Sequence, residues 1–140
     1  MDILIDMRPI EAAALWTGLL ILLMTILATR VILARRSNRV LLGDGGNAEV
    51  ALRGRVFGNA VEYAPLAIGG LIALSLLGMP AGWIHGLGAA FFLGRIAHAA
   101  GLSDRKPTAG RVVGMALTLL PLLAMGGMLV VHAFVHGPHG

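Results

Sequence analysis

The sequence predicts an all-α integral membrane protein, a single four-helix bundle over residues 1–140. Its composition is the first reason: 57% of the residues are hydrophobic and only 13% are charged, whereas a soluble domain carries roughly a quarter charged residues. The mean hydropathy of +0.84 leaves too little polar surface for a water-soluble enzyme or a disordered tail. The second reason is the order of the chain, in which four long apolar stretches alternate with short connections.

The cations do not indicate a nucleic-acid partner. The net charge is +4, and most of the excess lies in two short segments, so we expect membrane lipid and not nucleic acid around this chain. The chain also has no cysteine, which excludes disulfides, thiolate metal ligands and a cysteine nucleophile. Any thiol chemistry therefore needs a thiol that comes with the substrate.

The first membrane span is predicted at about 10–34. Residues 12–29 contain no charge, and about 20 apolar residues cross the hydrocarbon core of a bilayer. Arg30 falls inside the span and would extend its guanidinium toward the headgroups. The acidic start of the chain and the lack of a clear cleavage site argue against a signal peptide.

A helical hairpin is predicted next, with spans at about 56–77 and 83–101. Residues 63–94 contain no charge, a run too long for one simple span. The segment 78–82 breaks the run, because proline lacks a backbone donor and glycine tolerates a turn. The last span is predicted at about 111–135, with a kink at Pro121.

Two basic segments, at about 35–54 and 102–110, predict the orientation of the chain. Cations concentrate in cytoplasmic loops, so both segments are expected in the cytoplasm and both termini outside it. Arginine outnumbers lysine by ten to one, which is typical of a GC-rich bacterial genome and favours the inner membrane of a bacterium. The glycine-rich segment 43–46 is open to two interpretations, a flexible turn or a phosphate cradle, and the lack of a preceding strand favours the turn.

Polar residues inside the spans are the candidate functional residues, because an ionisable group there costs at least about 2.5 kcal/mol. On span two, Arg55, Asn59 and Glu62 are four and three residues apart and form one polar stripe. On span three, Arg95 and His98 share a face. Glu62 and Arg95 are expected at a similar depth, where their charges can compensate one another.

These residues have two interpretations. The pair of Glu62 and Arg95 alone needs no function beyond holding two helices together. With Arg111 at the start of span four, however, six polar residues converge on one end of the bundle, which favours a binding or catalytic site. At the far end of the chain, His132 and His136 are four residues apart without a nearby carboxylate, and we expect no metal site there.

The polar pattern resembles the MAPEG superfamily, the membrane-associated proteins of eicosanoid and glutathione metabolism. The resemblance rests on R-x-x-x-N-x-x-E-Y-x-P over residues 55–65 and G-R-x-x-H over residues 94–98. The Arg-Arg pair at 35–36 and the L-G-D-G-G sequence at 42–46 are similar to the bacterial branch in particular. Together these features cover roughly residues 30–111.

The resemblance implies a homotrimer of four-helix protomers with a glutathione site between neighbouring subunits, near the cytoplasmic face. It implies a transferase or peroxidase that uses glutathione as co-substrate and acts on lipophilic electrophiles. In members of this kind, residues of helices two and three bind the tripeptide, and an Arg that begins helix four stabilises its thiolate. The matching positions are Arg55, Asn59, Glu62, Arg95 and His98 for glutathione binding and Arg111 for catalysis.

Two positions depart from the family's pattern. Leu102 stands where mammalian members often have a tyrosine, and Val112 stands where eicosanoid synthases often have a serine. Both departures argue against a specialised prostaglandin or leukotriene synthase. Because the family also includes a member that binds lipid and does no chemistry, the alternative function is a non-catalytic lipid- or partner-binding membrane protein of the same fold.

Overall fold

The computed structural model describes residues 7–103 and 109–136, which fold into four α-helices. They are α1 (Pro9–Ser37), α2 (Ala48–Leu76), α3 (Ala81–Ser103) and α4 (Ala109–His136). Helices α2 and α3 each contact all three other helices, while α1 and α4 lie on opposite sides of this central pair. The predicted all-α membrane four-helix bundle is confirmed. Of the second basic segment, Arg105 and Lys106 lie outside the described residues.

Three of the four helices, α1, α2 and α4, are long and apolar enough to cross a membrane. The 23 residues of α3 extend about 35 Å, but this helix, predicted as the third span, does not reach the same hydropathy. It carries His85, Arg95 and His98 in its apolar sequence. The side chains of Arg95 and His98 are buried inside the protein, so α3 turns these two polar groups away from the surrounding medium.

The connection between α1 and α2 is shorter than the predicted basic segment at 35–54, and α2 begins within that segment. Asn47 caps the helix, because its side-chain oxygen accepts the backbone N–H groups of Glu49 and Val50 at 2.9 and 3.1 Å. Asparagine is among the preferred N-cap residues. The prediction of a loop over 35–54 was therefore wrong at both ends of the segment, because residues 35–37 belong to α1 and residues 48–54 belong to α2.

The turn between α2 and α3 is where the sequence predicts it. Gly78 has φ of +78°, and the N–H groups of Gly78 and Met79 donate to the carbonyls of Ser75 and Leu74 at 3.2 and 3.0 Å. This pair of bonds is a Schellman motif, which favours glycine at the residue with positive φ. The break predicted within residues 78–82 is confirmed.

Helices α3 and α4 approach each other until their backbones touch. A Cβ atom on Gly94 would lie 2.8 Å from the carbonyl carbon of Leu117, and one on Gly114 would overlap the backbone nitrogen of His98. Small residues allow this approach in membrane helices. The two glycines therefore set the distance and rotation between α3 and α4, and with them the position of Arg95.

We predict that Gly114→Ala destabilises the bundle by about 1–3 kcal/mol, the usual cost of overpacking a core. The new methyl group would force α4 away from the backbone of His98. Denaturant unfolding of the detergent-solubilised protein measures the effect. Gly126→Ala on the same helix is the control, because its Cβ would meet nothing within 4 Å, and alanine is the better helix former by about 1 kcal/mol. Equal losses in both variants would contradict a backbone contact at Gly114.

Candidate functional site

The side chain of Arg95 lies at the centre of the polar residues and is only 2% exposed. Its Nε donates to the hydroxyl of Thr118 at 3.0 Å. Its Nη1 donates to both oxygens of Asn59, at 2.9 Å to the side chain and 3.3 Å to the backbone. The guanidinium also lies 5.4 Å from the ring centroid of Tyr63, within range of a cation–π contact. One side chain thus joins α2, α3 and α4.

The position of Thr118 is fixed by its own helix as well as by Arg95. Thr118, which is fully buried, donates its own hydroxyl to the carbonyl of Gly114 at 2.7 Å, so its oxygen is free to accept from Arg95. The Nη2 atom of Arg95 is buried and has no hydrogen-bond partner among the described residues. A buried cation without a carboxylate is costly, and the hydrogen bonds only partly offset that cost.

The predicted compensation between Glu62 and Arg95 does not form. Glu62 is exposed, and no ion pair joins it to any residue in the described ranges. Helix rotation gives the reason. Asn59 faces α3, while Glu62 is three positions further along and points about 60° away from it.

The outer face of α2 carries two charges without an internal partner. Arg55 and Glu62 are seven residues apart, so they point in nearly the same direction, about 10 Å apart along the helix. Both are exposed, and neither forms an ion pair within the described part of the chain. The predicted stripe is therefore divided. Asn59 binds Arg95 in the interior, whereas the opposite charges of Arg55 and Glu62 are accessible to a ligand or a second subunit.

His98 connects α3 to the first turn of α4. Its side chain is 6% exposed, and its Nδ1 lies 3.2 Å from the backbone carbonyl oxygen of Arg111. Because a carbonyl can only accept, Nδ1 is the donor in this contact. The contact fixes the backbone of Arg111 and leaves its half-buried side chain without an ion pair among the described residues.

The structure thus brings the predicted site residues together in two contacts, Asn59 with Arg95 and His98 with Arg111. It adds two residues to which the sequence analysis gave no role, Thr118 and Tyr63. Tyr63 belongs to the quoted motif, but Thr118 is a single hydroxyl in an apolar helix, and only its contact identifies it. Of the two departures from the family pattern, Val112 is 73% exposed, and the side chain of Leu102 lies outside the described residues.

An apolar groove lies between α1 and α2 on the outer surface. It encloses about 360 Å³ and is lined by residues such as Met24, Phe57, Val61 and Pro65. Its α2 residues lie roughly 60–160° around the helix from Glu62. The groove suits an acyl chain or another lipophilic group, and its lining contains no titratable side chain.

We predict that Thr118→Val destabilises the protein by about 1–3 kcal/mol, because it removes the acceptor of a buried guanidinium N–H and leaves that donor unsatisfied. Thr25→Val is the matched control. Thr25 makes the same kind of bond to its own helix, 2.9 Å to the carbonyl of Ile21, but it is exposed and has no contact with Arg95. Denaturant unfolding in detergent measures both variants, and a loss in the control as large as in Thr118→Val would contradict the role given to Arg95.

Comparisons with known proteins place the chain in a family. The sequence profile of the MAPEG family matches residues 13–131. The inner membrane protein YecN of Escherichia coli K12 is 34% identical over 113 residues, which cover 81% of this chain and 86% of YecN, and YecN of Escherichia coli O6:H1 matches to the same extent. No solved structure matches the chain. The resemblance stated from the polar motifs is confirmed, and the chain belongs to the MAPEG family.

Proposed function

We propose that this chain is a glutathione-dependent transferase or peroxidase of a bacterial inner membrane that acts on lipophilic electrophiles. The observation that carries the proposal is the pair of exposed, internally unpaired opposite charges on α2, Arg55 and Glu62. Glutathione has two carboxylates and one ammonium, so it complements this face. Arg55 takes a carboxylate as a charge-assisted pair, and Glu62 takes the ammonium.

In this proposal Arg95 and His98 act through their neighbours rather than by touching glutathione. Both are buried. Arg95 occupies both oxygens of Asn59, which leaves the amide nitrogen of Asn59 as the group that donates to the tripeptide. His98 holds the backbone of Arg111. The residues that contact glutathione are then Arg55, Asn59, Glu62 and Arg111, a narrower set than the family resemblance implies.

Arg111 is assigned to the thiol. A free thiol titrates near about 8.5, and the thiolate is the nucleophile. Lowering the pKa of the glutathione thiol by about 2 units requires about 2.7 kcal/mol of differential stabilisation, which a guanidinium in a partly dry site supplies. Arg111 lies in the first turn of α4, where the helix dipole also favours an anion.

The chemistry follows from that thiolate. In a transferase step, the sulfur attacks the electrophilic carbon of the substrate, and a C–S bond forms as the leaving group departs or an epoxide opens. In a peroxidase step, the sulfur takes one oxygen of a hydroperoxide, the O–O bond breaks, and an alcohol is released. A second glutathione then converts the sulfenic acid to the disulfide and water.

The same charges favour assembly into a homotrimer. A charge that faces lipid is costly, and a neighbouring subunit that covers Arg55 and Glu62 would create a cleft between protomers that electrophiles enter from the bilayer. The proposed orientation places this end of the bundle at the cytoplasmic face and both termini outside the cytoplasm.

We predict a trimer when the protein is purified in mild detergent, with native mass spectrometry as the measurement. If a neighbouring helix covers this face, the variant Glu62→Leu should remain a trimer. If only a bound ligand covers it, the variant should dissociate. A wild-type protein that is monomeric at micromolar concentration would contradict a site between subunits.

We predict that Arg111→Ala lowers the catalysed rate by about 100- to 1,000-fold, the scale for losing one preorganised charge-stabilising donor, while glutathione binding changes much less. Glu62→Ala should instead weaken binding, since it removes the partner of the ammonium. Titration calorimetry with glutathione measures binding, and conjugation of a hydrophobic electrophile measures the rate.

Arg53→Ala is the control for this pair, because Arg53 belongs to the same end of α2 but lies near Glu49, at 3.7 Å. Its rate and affinity should match the wild type. An Arg111→Ala variant with unchanged turnover would refute the role of Arg111 without refuting the enzyme.

A non-catalytic lipid- or partner-binding protein is the second candidate, and the apolar groove between α1 and α2 favours it. In that case Arg95, Asn59 and Thr118 serve only to hold the helices together. Wild-type protein that binds glutathione but shows no thiolate absorbance at neutral pH and no conjugation would support this candidate over the enzyme.

A further inference from the structure

The connection between α2 and α3 forms an exposed apolar surface at the end of the bundle that lies opposite the basic segments. Residues 76–83, here termed the apolar tip, include the last residue of α2, the turn and the start of α3. Leu76, Leu77 and Trp83 are 73%, 44% and 55% exposed. Large apolar side chains thus project outward where a chain that turns in water usually carries polar ones.

The side chains around the tip give water very little to bind. Residues 63–94 contain no charge, and the one polar side chain within residues 64–82 is Ser75. The hydroxyl of Ser75 donates to the carbonyl of Ile72 at 2.7 Å, and the residue is buried. The polar group nearest to the tip on α2 is therefore bonded to its own helix.

The backbone N–H groups of the turn are also bonded within the chain. Of the four residues between α2 and α3, Leu77 donates to the carbonyl of Ala73 at 3.1 Å, and Gly78 and Met79 form the Schellman pair described above. Pro80 has no N–H to bond. A turn in water does not need this, because water bonds any free donor, whereas an unbonded donor in a bilayer is costly.

The contact between α1 and α3 gives the depth of the tip. Nε1 of Trp16 donates to Nδ1 of His85 at 3.1 Å, and the two helices run in the same direction. Glu11 is five residues before Trp16, and Pro80 is five residues before His85, so Glu11 and Pro80 lie at a similar depth. Glu11 is ion-paired with Arg8 there. The tip therefore lies at the boundary of the apolar region and not at its centre.

Lipid fits this surface better than a protein partner does. A protein–protein interface of standard size has a polar rim and about 10 hydrogen bonds, and a surface whose polar groups are bonded internally cannot supply them. Lipid at the boundary of the bilayer requires none. Tryptophan is enriched at that boundary, because its ring contacts acyl chains while its N–H reaches the headgroups, and Trp83 is the exposed aromatic residue of the tip.

We propose that the apolar tip inserts into the lipid leaflet opposite the basic segments, with Trp83 between headgroups and acyl chains, and that it holds the bundle at a fixed depth. Glu62 is 15 residues from Leu77, about 22 Å along α2. Because the hydrocarbon core is about 30 Å thick, the inserted tip places Glu62 about 8 Å inside the opposite boundary. The depth follows from the tip alone and does not depend on glutathione.

The first test uses the absence of cysteine from the chain, which makes any introduced thiol the sole one. Gly82→Cys places it on the tip, where a Cβ meets nothing within 4 Å. Ala48→Cys is the matched control, because both positions are exposed and lie in the first turn of a helix, so the helix dipole acts alike on the two thiols. The purified variants are reconstituted in vesicles of phosphatidylethanolamine and phosphatidylglycerol, and the rate of reaction with N-ethylmaleimide is measured.

We expect Gly82→Cys to react at least about tenfold more slowly than Ala48→Cys, because the reactive thiolate is disfavoured away from water. Equal rates would place the tip in water and overturn the proposal.

The second test asks whether lipid is what covers the tip, and it needs no cysteine variant. The chain has two tryptophans, so the fluorescence of the wild type minus that of Trp83→Phe reports Trp83. We expect this difference to be quenched by lipids brominated near the headgroup more than by lipids brominated near the chain end, and least by iodide in the water. A slow thiol at Gly82→Cys without quenching by either brominated lipid would show that another copy of the chain covers the tip, and would also overturn the proposal.

Discussion

The buried guanidinium of Arg95 is the interaction on which the polar end of this bundle depends. A cation inside a membrane protein is costly, and here no carboxylate among the described residues offsets it. The hydrogen bonds to Thr118 and Asn59 must therefore be short and well placed, and this requires α3 and α4 to approach more closely than ordinary side chains permit. The glycines at 94 and 114 provide that approach. A polar contact across three helices is thus made possible by the absence of side chains at two positions.

The outward face of α2 follows from the same contact. Asn59 points toward Arg95. Arg55 is four positions before it and Glu62 three positions after it, so both point away from the core and are exposed. Each alone would be a defect in a lipid-facing helix. Together they form a pair of opposite charges with a fixed separation, which a zwitterionic ligand or a second subunit can neutralise. The interior contact therefore determines which charges of α2 lie on the outer surface.

Much of this arrangement could be predicted from spacing alone. The helical hairpin follows from a proline and two glycines in a long uncharged run, and the polar motifs identify the correct end of the bundle. The contact between Glu62 and Arg95 could not be predicted correctly, because similar depth does not fix helix rotation, and α2 turns Asn59 rather than Glu62 toward Arg95. Thr118 was missed for the same reason. The early start of α2 was a different kind of error, since Asn47 followed by Glu49 is a readable helix start.

The two ends of the bundle contain different polar contacts, and this difference restricts where a binding site can lie. Toward the start of α1, the indole N–H of Trp16 donates to Nδ1 of His85 at 3.1 Å, and the ring packs directly over Gly88. Since Nδ1 accepts this bond, the pair is neutral and demands no counter-ion. The opposite end holds Arg95, Arg111 and the arginines at and just after the end of α1, none of which has an acidic partner in the described chain. An excess of unpaired cations at one end of a bundle attracts anions to it. In the proposed function, the carboxylates of glutathione balance part of this excess on the α2 side.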